Sequence, residues 1–281
     1  METWQAAVVA LVQGLTEFLP VSSSGHMVLT EAVLGVDTPG ATWEVAFHFG
    51  TLLAVLVIFW REVWNTCAGF LTGVFRLLGG AKASAIWAGN GGLRMGTYIL
   101  IGTIPAVLVV AALKEHIEAT FGHPILSAAM IFLTGEILWL SRPHGLLRRQ
   151  GKLRAPDSVA IGIAQAFALL PGISRSGATI AVGLMCGVER EQAARFSFFL
   201  AVPAILGGSL LKFDDIRSLP TAQLPAMGLG VAIAALSGTL ALLVLLRVVR
   251  AGRLHFFAYY CWAVSILGAV YLWSTHPSPP F

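Results

Sequence analysis

Charged side chains are scarce in this sequence of 281 residues. Asp, Glu, Lys and Arg make up 11% of it, 57% of the residues are hydrophobic, and the mean hydropathy is +0.80. This composition excludes an ordinary soluble globular domain and predicts an all-α polytopic membrane protein, with one membrane domain over residues 1–281. The net charge of +4 requires no nucleic-acid partner, because the basic residues gather in the connections between apolar runs.

Cysteines are also few. Cys67, Cys186 and Cys261 lie far apart, so their spacing excludes a disulfide framework and a cysteine-based metal site, and we interpret all three as packing residues. No basic region precedes the first apolar run, and we therefore expect no cleaved signal peptide.

The polar groups of the first segment are concentrated between Gln13 and His26, with apolar flanks on both sides. Glu17 and His26 would then lie within the membrane, where an ionisable side chain costs roughly 2.5–3.5 kcal/mol on insertion scales and is usually kept for function. Gln13 and Glu17 are four residues apart and share one face of a helix that Pro20 would end. This stretch is the predicted site.

After this break, the residues from Ser22 to Gly25 can cap a second short helix. Free backbone N–H groups at a helix N-terminus, flanked by hydroxyl groups, suit a phosphate. The alternative is a kinked transmembrane helix whose serines bond to neighbouring carbonyls and whose Glu17 pairs across a helix interface.

The rest of the chain contains six further apolar runs and a second broken segment. A Gly-rich basic connection is predicted over residues 61–94, and the second break falls at Pro171–Gly177 within the segment 157–188. The predicted spans are 44–60, 95–113, 124–140, 192–211, 225–246 and 255–273.

The second half of the sequence repeats the first. A shift of 152 residues places Gln13 on Gln165, Ser22 on Ser174, Ser24 on Ser176 and Gly25 on Gly177. If each broken segment is re-entrant, each half has three crossings and the halves have opposite orientations, which is an inverted-topology repeat whose broken segments meet. The predicted limits are about 1–141 for repeat one, with its re-entrant segment at 4–36, and about 156–275 for repeat two, with its re-entrant segment at 157–188.

The basic residues favour this topology. Three fall on one side, Lys114, Lys212 and Arg217, so the positive-inside rule makes the other side cytoplasmic and both termini periplasmic. Fourteen of the 18 fall on that other side: Arg61, Arg76, Lys82, Arg94, Arg142, Arg148, Arg149, Lys152, Arg154, Arg190, Arg195, Arg247, Arg250 and Arg253.

The two broken segments carry different functional groups. The first brings the carboxylate of Glu17, the hydroxyl of Ser23 and the imidazole of His26, and the second brings the guanidinium of Arg175. This asymmetry favours an enzyme of phosphoryl transfer, which needs a charge clamp and a nucleophile or base. Arg175 offers a forked donor to phosphate oxygens, or alternatively pairs with Glu17.

A divalent cation is the expected cofactor. Glu17 and the carbonyl of Gln13 are hard oxygen ligands for Mg²⁺ or Ca²⁺, with water and phosphate completing the shell. His48 either lines the same site or is a hydrogen-bonded core residue, which is the commoner role of a lone helical histidine.

The two motifs, Gln13 to His26 and Pro171 to Thr179, resemble the signature motifs of the undecaprenyl-diphosphate phosphatase family, also called the bacitracin-resistance protein family. The resemblance implies a metal-dependent enzyme of the bacterial inner membrane, with its active site facing the periplasm. It would hydrolyse undecaprenyl diphosphate to undecaprenyl phosphate and inorganic phosphate, recycling the lipid carrier of cell-wall synthesis.

The resemblance also implies roles for individual residues. Many members have Glu where this chain has Gln13. The residues carried over are Glu17, Ser23, His26 and Arg175 as catalytic, Gln13 and Glu17 as metal ligands, and Ser22, Ser24, Gly25, Ser174, Ser176, Gly177 and Thr179 as substrate-binding.

Several alternatives stay open at this point. A transporter or flippase for a polyprenyl phosphate would use the same repeat for alternating access. Ser23, His26 or a metal-bound water could attack phosphorus. Membrane lipids and the lipid substrate are the expected partners, with a homodimer as a further alternative.

Overall fold

The computed structural model describes residues 2–35, 42–121, 123–142, 151–211 and 219–275, together with Asp214 and Arg217. Regular structure in these residues is helical, apart from an isolated parallel bridge between Gly151 and Val188. The helices are α1 (Thr3–Phe18), α2 (Ser23–Leu34), α3 (Thr42–Ile58), α4 (Trp60–Leu78), α5 (Ala83–Gly89), α6 (Gly91–Thr120), α7 (Pro124–Leu140), α8 (Ala155–Phe167), α9 (Arg175–Met185), α10 (Arg190–Leu211), α11 (Leu224–Arg250) and α12 (Phe257–Thr275).

Four of the described helical stretches are long and apolar enough to cross a membrane: Gly91–Ile117, Arg190–Leu210, Thr221–Arg250 and Leu254–Ser274. The pair α3 and α4 passes the same test only together and is bent by 85°, while α7 is a shorter apolar helix. The predicted all-α polytopic membrane protein is confirmed, and each of these four stretches overlaps a predicted span.

The predicted connection over residues 61–94 is wrong, because most of it is helical. α4 follows α3 after a sharp bend, and α5 precedes α6. Trp60, Trp64, Leu71 and Phe75 recur at helical spacing and are exposed along α4. The glycines and basic residues of this stretch obscure the periodicity in the sequence. Cys67 lies on the same helix and is exposed, so its interpretation as a packing residue is also wrong.

Both predicted breaks are confirmed. The first lies between Phe18 and Ser23, and the second lies between Phe167 and Arg175. At the second break Gly172 has φ +98°, a conformation that glycine adopts without steric cost. Val36, the last residue of the predicted first re-entrant segment, lies outside the described residues.

The two halves of the chain are interleaved. α1 packs along α11 of the second half, and α8 packs along α6 of the first half, while α7 and α12 pack together. A methyl group at Gly14 would lie 2.7 Å from the backbone oxygen of Ala234, so α1 approaches α11 closely. The first helix of each broken segment therefore packs on a helix of the opposite half. The inverted orientation and the repeat limits stay predictions.

One end of the bundle gathers several of the basic residues. Arg195 of α10 lies 3.6 Å from Glu62 of α4 and 2.6 Å from Glu191, and Arg250 of α11 lies 3.0 Å from Glu191. These pairs place the ends of α4, α10 and α11 together, as the sequence predicted for one side of the membrane. Arg148 and Arg149 of the predicted basic loop lie outside the described residues, as does Lys212.

Gly14→Val tests the close packing of α1 on α11. The added side chain meets the backbone of Ala234, so we expect the free energy of unfolding to fall by about 1–3 kcal/mol. The measurement is thermal unfolding of the purified protein in detergent. Gly228→Ala is the matched control, because no heavy atom lies within 4 Å of the added methyl group, and it should leave stability unchanged or raise it by about 1 kcal/mol. Equal stability of Gly14→Val and wild type would contradict the packing.

Candidate active site

Glu17 lies at the centre of the polar cluster between the two broken segments. Glu17 lies in the last turn of α1 and is 6% exposed. One carboxylate oxygen, Oε2, accepts from Gln13 Nε2 at 2.9 Å and from the Ser23 hydroxyl at 2.6 Å, and it lies 3.3 Å from His48 Nε2. The other, Oε1, forms an ion pair with Arg175. The two broken segments therefore meet, as predicted, through the charged groups of Glu17 and Arg175.

Arg175 is the first residue of α9, and its guanidinium is divided between two environments. Nη2 donates to Glu17 Oε1, whereas Nη1 is buried and has no hydrogen-bond partner among the described residues. A buried, unpaired N–H group of a guanidinium is costly unless a ligand completes its bonding. One arm thus holds the carboxylate, and the other is available for an anion.

The turns before α2 and α9 have the same hydrogen bonds. Ser22 Oγ accepts from the backbone N–H of Gly25 at 3.2 Å, and Ser174 Oγ accepts from that of Gly177 at 3.0 Å. Each pair is related by the shift of 152 residues found in the sequence. Both turns thus use an N-cap serine of the predicted kind, and the repeated geometry supports an internal repeat.

Ser22 carries backbone strain at this position. Its φ is +71°, and it is the one non-glycine residue with positive φ in the part of the chain that the structure describes. Such conformations persist where surrounding contacts determine them, and they concentrate at functional sites. The hydroxyl of the next residue, Ser23, donates to Glu17.

The two turns also bond to each other. The backbone N–H of Gly172 donates to Ser24 Oγ at 3.4 Å, and Ser176 Oγ donates to the backbone oxygen of Glu17 at 3.3 Å. A side-chain carbon at Gly25 would lie 2.9 Å from Gly172 Cα, so the turns are in direct contact. The serines therefore do much of their bonding within the protein.

The other predicted substrate-binding residues of the second segment are deeply buried. Ser174 and Ser176 lie 3.2 Å apart through their Oγ atoms. Thr179 Oγ1 lies 2.6 Å from Ser197 Oγ of α10 and donates to the Arg175 backbone oxygen at 2.7 Å. The hydroxyl groups at these positions already have partners, and their substrate-binding role stays a prediction.

Ser23 and His26 do not contact each other through their functional atoms. Ser23 donates to Glu17, while His26 Nδ1 lies 2.8 Å from the backbone oxygen of Ser22. His26 Nε2 lies 3.0 Å from the hydroxyl of Tyr260, and the two rings stack with centroids 5.6 Å apart. The group within reach of the Ser23 proton is therefore the carboxylate of Glu17.

The donor atoms near Glu17 fit a divalent cation in part. Gln13 is fully buried, and its Oε1 has no hydrogen-bond partner among the described residues. Amide and carboxylate oxygens are suitable ligands for Mg²⁺ or Ca²⁺. The described residues contain no cluster of three His, Cys, Asp or Glu side chains arranged to hold a metal, so a cation here would depend on the Gln13 amide and on further donors.

Comparison with protein families gives a match over most of the chain. The model described as "Bacitracin resistance protein BacA" matches residues 6–267. This chain belongs to that family. The two stretches Gln13 to His26 and Pro171 to Thr179, which meet at Glu17 and Arg175, both lie within the matched residues.

Curated relatives of this BacA family member are similar along their whole length. A protein of Desulforapulum autotrophicum is 38% identical over 274 residues, which cover 96% of this chain and 98% of the relative. A protein of Desulfosudis oleivorans is 41% identical over 275 residues, covering 97% and 98%. A protein of Salinibacter ruber is 40% identical over 272 residues, covering 95% and 98%. Each of the three is named undecaprenyl-diphosphatase.

Three site residues of this BacA family member lie outside the two motifs. His48 of α3 contacts Glu17, Tyr260 of α12 contacts His26, and Thr134 of α7 binds the second turn. Thr134 Oγ1 donates to the Gly172 oxygen at 2.8 Å and accepts from the Ser174 N–H at 3.0 Å. A polar residue within an apolar run is the sequence signal for His48 and Thr134, whereas tertiary packing alone brings Tyr260 to the site.

Proposed function

We propose that this protein hydrolyses undecaprenyl diphosphate to undecaprenyl phosphate and inorganic phosphate. It would thereby recycle the lipid carrier of cell-wall synthesis and contribute to bacitracin resistance. The observation that carries this proposal is the ion pair of Glu17 and Arg175, which joins the two family motifs and leaves one buried arm of the guanidinium without a partner. Family membership and the names of the relatives support the same reaction.

The binding step follows from the charges around Glu17. Arg175 turns its free Nη1 toward a phosphate oxygen, and the forked geometry of the guanidinium permits a bidentate contact. The backbone N–H groups at the start of α9, the helix that Arg175 begins, suit the same anion. Ser22, Ser24, Gly25, Ser174, Ser176 and Gly177 act here mainly by fixing the two turns.

The chemical step uses Ser23 as nucleophile and Glu17 as base. The Ser23 hydroxyl already donates to Glu17 Oε2 at 2.6 Å, and Gln13 and Arg175 orient that carboxylate. As the Oγ–P bond forms, the bond from phosphorus to the bridging oxygen breaks, and Glu17 takes the hydroxyl proton. Undecaprenyl phosphate leaves, and water then hydrolyses the phosphoserine. The leaving phosphate monoester departs as an anion, and His26, held by Ser22 and Tyr260, stays a predicted catalytic residue.

A divalent cation, Mg²⁺ or Ca²⁺, is proposed at the oxygens of Gln13 and Glu17. When bound, it would offset the negative charge that the diphosphate brings into a membrane site. The unpartnered Oε1 of buried Gln13 supports this assignment.

The protein is proposed to lie in the bacterial inner membrane, with its basic end cytoplasmic and its active site open to the periplasm. The distribution of basic residues supports this orientation. The substrate is a polyprenyl lipid, so substrate and product share the bilayer with the protein. The transporter alternative gains no support from the family or its relatives, and a homodimer stays a prediction.

Release of phosphate from a polyprenyl diphosphate by the purified protein tests the proposed function. Arg175→Lys tests the role of the Arg175 guanidinium, which pairs with Glu17 and leaves Nη1 for the substrate. Lysine keeps the charge but cannot make a forked contact, so we expect the rate to fall about 10²–10³-fold, as on loss of a preorganised donor. Arg142→Lys, at the basic end of the bundle, is the matched control. No phosphate release by wild type would contradict the function, and a Lys variant within a few-fold of wild type would leave Arg175 a structural role.

Glu17→Gln and Gln13→Glu test the assignment of the metal. We expect Glu17→Gln to lose metal-dependent turnover, because it removes both the anionic ligand and the base that Ser23 donates to. Gln13→Glu should stay active and reach half-maximal rate at a lower metal concentration, because a second carboxylate one turn away adds negative charge. The measurement is the rate of phosphate release in detergent as a function of the Mg²⁺ or Ca²⁺ concentration. A metal response that survives in Glu17→Gln would remove the pair from the metal site.

The orientation is tested with single cysteines in a background without the three native ones. Ser84→Cys lies beside the basic end of the bundle, and Thr221→Cys lies between α10 and α11; both positions are exposed. A membrane-impermeant thiol reagent added to spheroplasts should label Thr221→Cys and spare Ser84→Cys until the membrane is permeabilised. The reverse pattern would overturn the proposed orientation.

A further inference from the structure

α4 carries a stripe of large apolar side chains on its outer face. These side chains are more than half exposed and recur at helical spacing, so they lie on one side of the helix: Trp60, Trp64, Leu71, Phe75 and Leu78. We propose that α4 lies in the membrane interface at the basic end of the bundle, where this stripe and two flanking arginines bind the anionic phospholipids of that leaflet.

The bend before α4 sets its direction. α3 and α4 are bent by 85°, so α4 lies nearly in the membrane plane if α3 crosses the membrane. α3 has 17 residues, a length of about 25 Å that is within the range of short transmembrane helices. Phe59 fixes the bend, because it is 3% exposed and its ring centroid lies 6.0 Å from that of Phe198 and 5.8 Å from that of Phe199, both of α10.

α4 crosses the first turns of α6, where the span within that helix begins. Asn90, just before α6, donates through Nδ2 to the Gly69 oxygen at 2.7 Å. A side-chain carbon at Gly69 would lie 2.8 Å from Gly92 Cα, and one at Gly96 would lie 2.6 Å from the Phe70 ring. The membrane span of α6 starts with the first residue of the helix. These contacts therefore hold α4 at the depth where that span enters the membrane.

The charges beside the stripe suit a negatively charged surface. Arg61 lies over the Trp60 ring, with Cζ 5.2 Å from the ring centroid, and Arg76 is exposed in the last turn. Glu62, in the first turn, is directed instead to Arg195 of α10 at 3.6 Å. Tryptophan is enriched at the interface of a membrane, and basic residues there attract anionic lipids.

A second copy of the chain is a poorer partner for the stripe. A two-fold axis along the membrane normal makes two helices in the membrane plane antiparallel, so each stripe would pack on itself. Arg61 of one copy would then lie near Arg76 of the other, and like charges in such a contact repel. Anionic headgroups would instead neutralise both arginines. The charge pattern therefore favours a lipid surface.

The depth of positions along the stripe tests whether α4 lies in the interface. Cys67 is exposed on the same side of the helix, and it, Leu71→Cys and Leu78→Cys each carry a fluorophore in a background without the other cysteines. Quenching in proteoliposomes by lipids brominated at defined chain positions gives each depth. We expect the three depths to agree within one helical turn, about 5 Å. A helix that crosses the membrane would change depth by about 16 Å from residue 67 to residue 78, and that result would overturn the proposal.

The double variant Arg61→Gln with Arg76→Gln tests the recognition of anionic lipid. The fluorophore at Cys67 is quenched with brominated phosphatidylglycerol or, at the same mole fraction, brominated phosphatidylcholine. We expect wild type to prefer phosphatidylglycerol, and the preference to fall by up to about 5-fold for each arginine replaced. High salt should weaken the preference in wild type, because it screens the exposed charges.

The matched control is Arg247→Gln with Arg253→Gln, which removes the same charge from two exposed residues of the basic end that lie outside α4. This control should keep the preference for phosphatidylglycerol. An equal response of wild type to both lipids, or an unchanged preference in the α4 double variant, would overturn the lipid site. Disulfide-linked dimers through Cys67 in the membrane, without quenching by either lipid, would also overturn it and assign the stripe to a second copy.

Discussion

The ion pair between Glu17 and Arg175 joins parts of the chain that are 158 residues apart and lies between the two broken segments. A buried charge in a membrane protein is tolerated only when it is paired, and removal of one partner of such a pair costs about 3–5 kcal/mol. Both helix breaks, the two serine caps and the packing of α1 and α8 on the opposite half serve to hold this pair together. The site and the fold therefore depend on the same contact.

Much of this arrangement is predictable from the sequence. Pro20 and Pro171 mark the breaks, the serines that follow them are N-caps, and a carboxylate and a guanidinium in two apolar segments each need a partner. Long apolar runs also predict α6, α10, α11 and α12. These features are local, because each depends on residues within a few positions of one another.

The features that escaped prediction depend on contacts between distant elements or on a weaker pattern. Nothing near Tyr260 in the chain indicates that its hydroxyl lies beside His26, 234 residues away. His48 was recognised as polar, but its partner is on another helix. α4 is a different case, since the spacing of Trp60, Trp64 and Phe75 does indicate an amphipathic helix that glycines and arginines obscured.

The exchange of helices between the halves has a consequence for synthesis. α1 leaves the ribosome long before α11, and Glu17 precedes Arg175 by 158 residues, which takes roughly 8–30 s at 5–20 residues per second. During that time the carboxylate lacks the guanidinium of Arg175. Until the second half of the protein is inserted, one of three conditions must therefore hold. The Glu17 carboxylate stays protonated, the first broken segment remains at the bilayer surface, or the insertion machinery shields it from lipid.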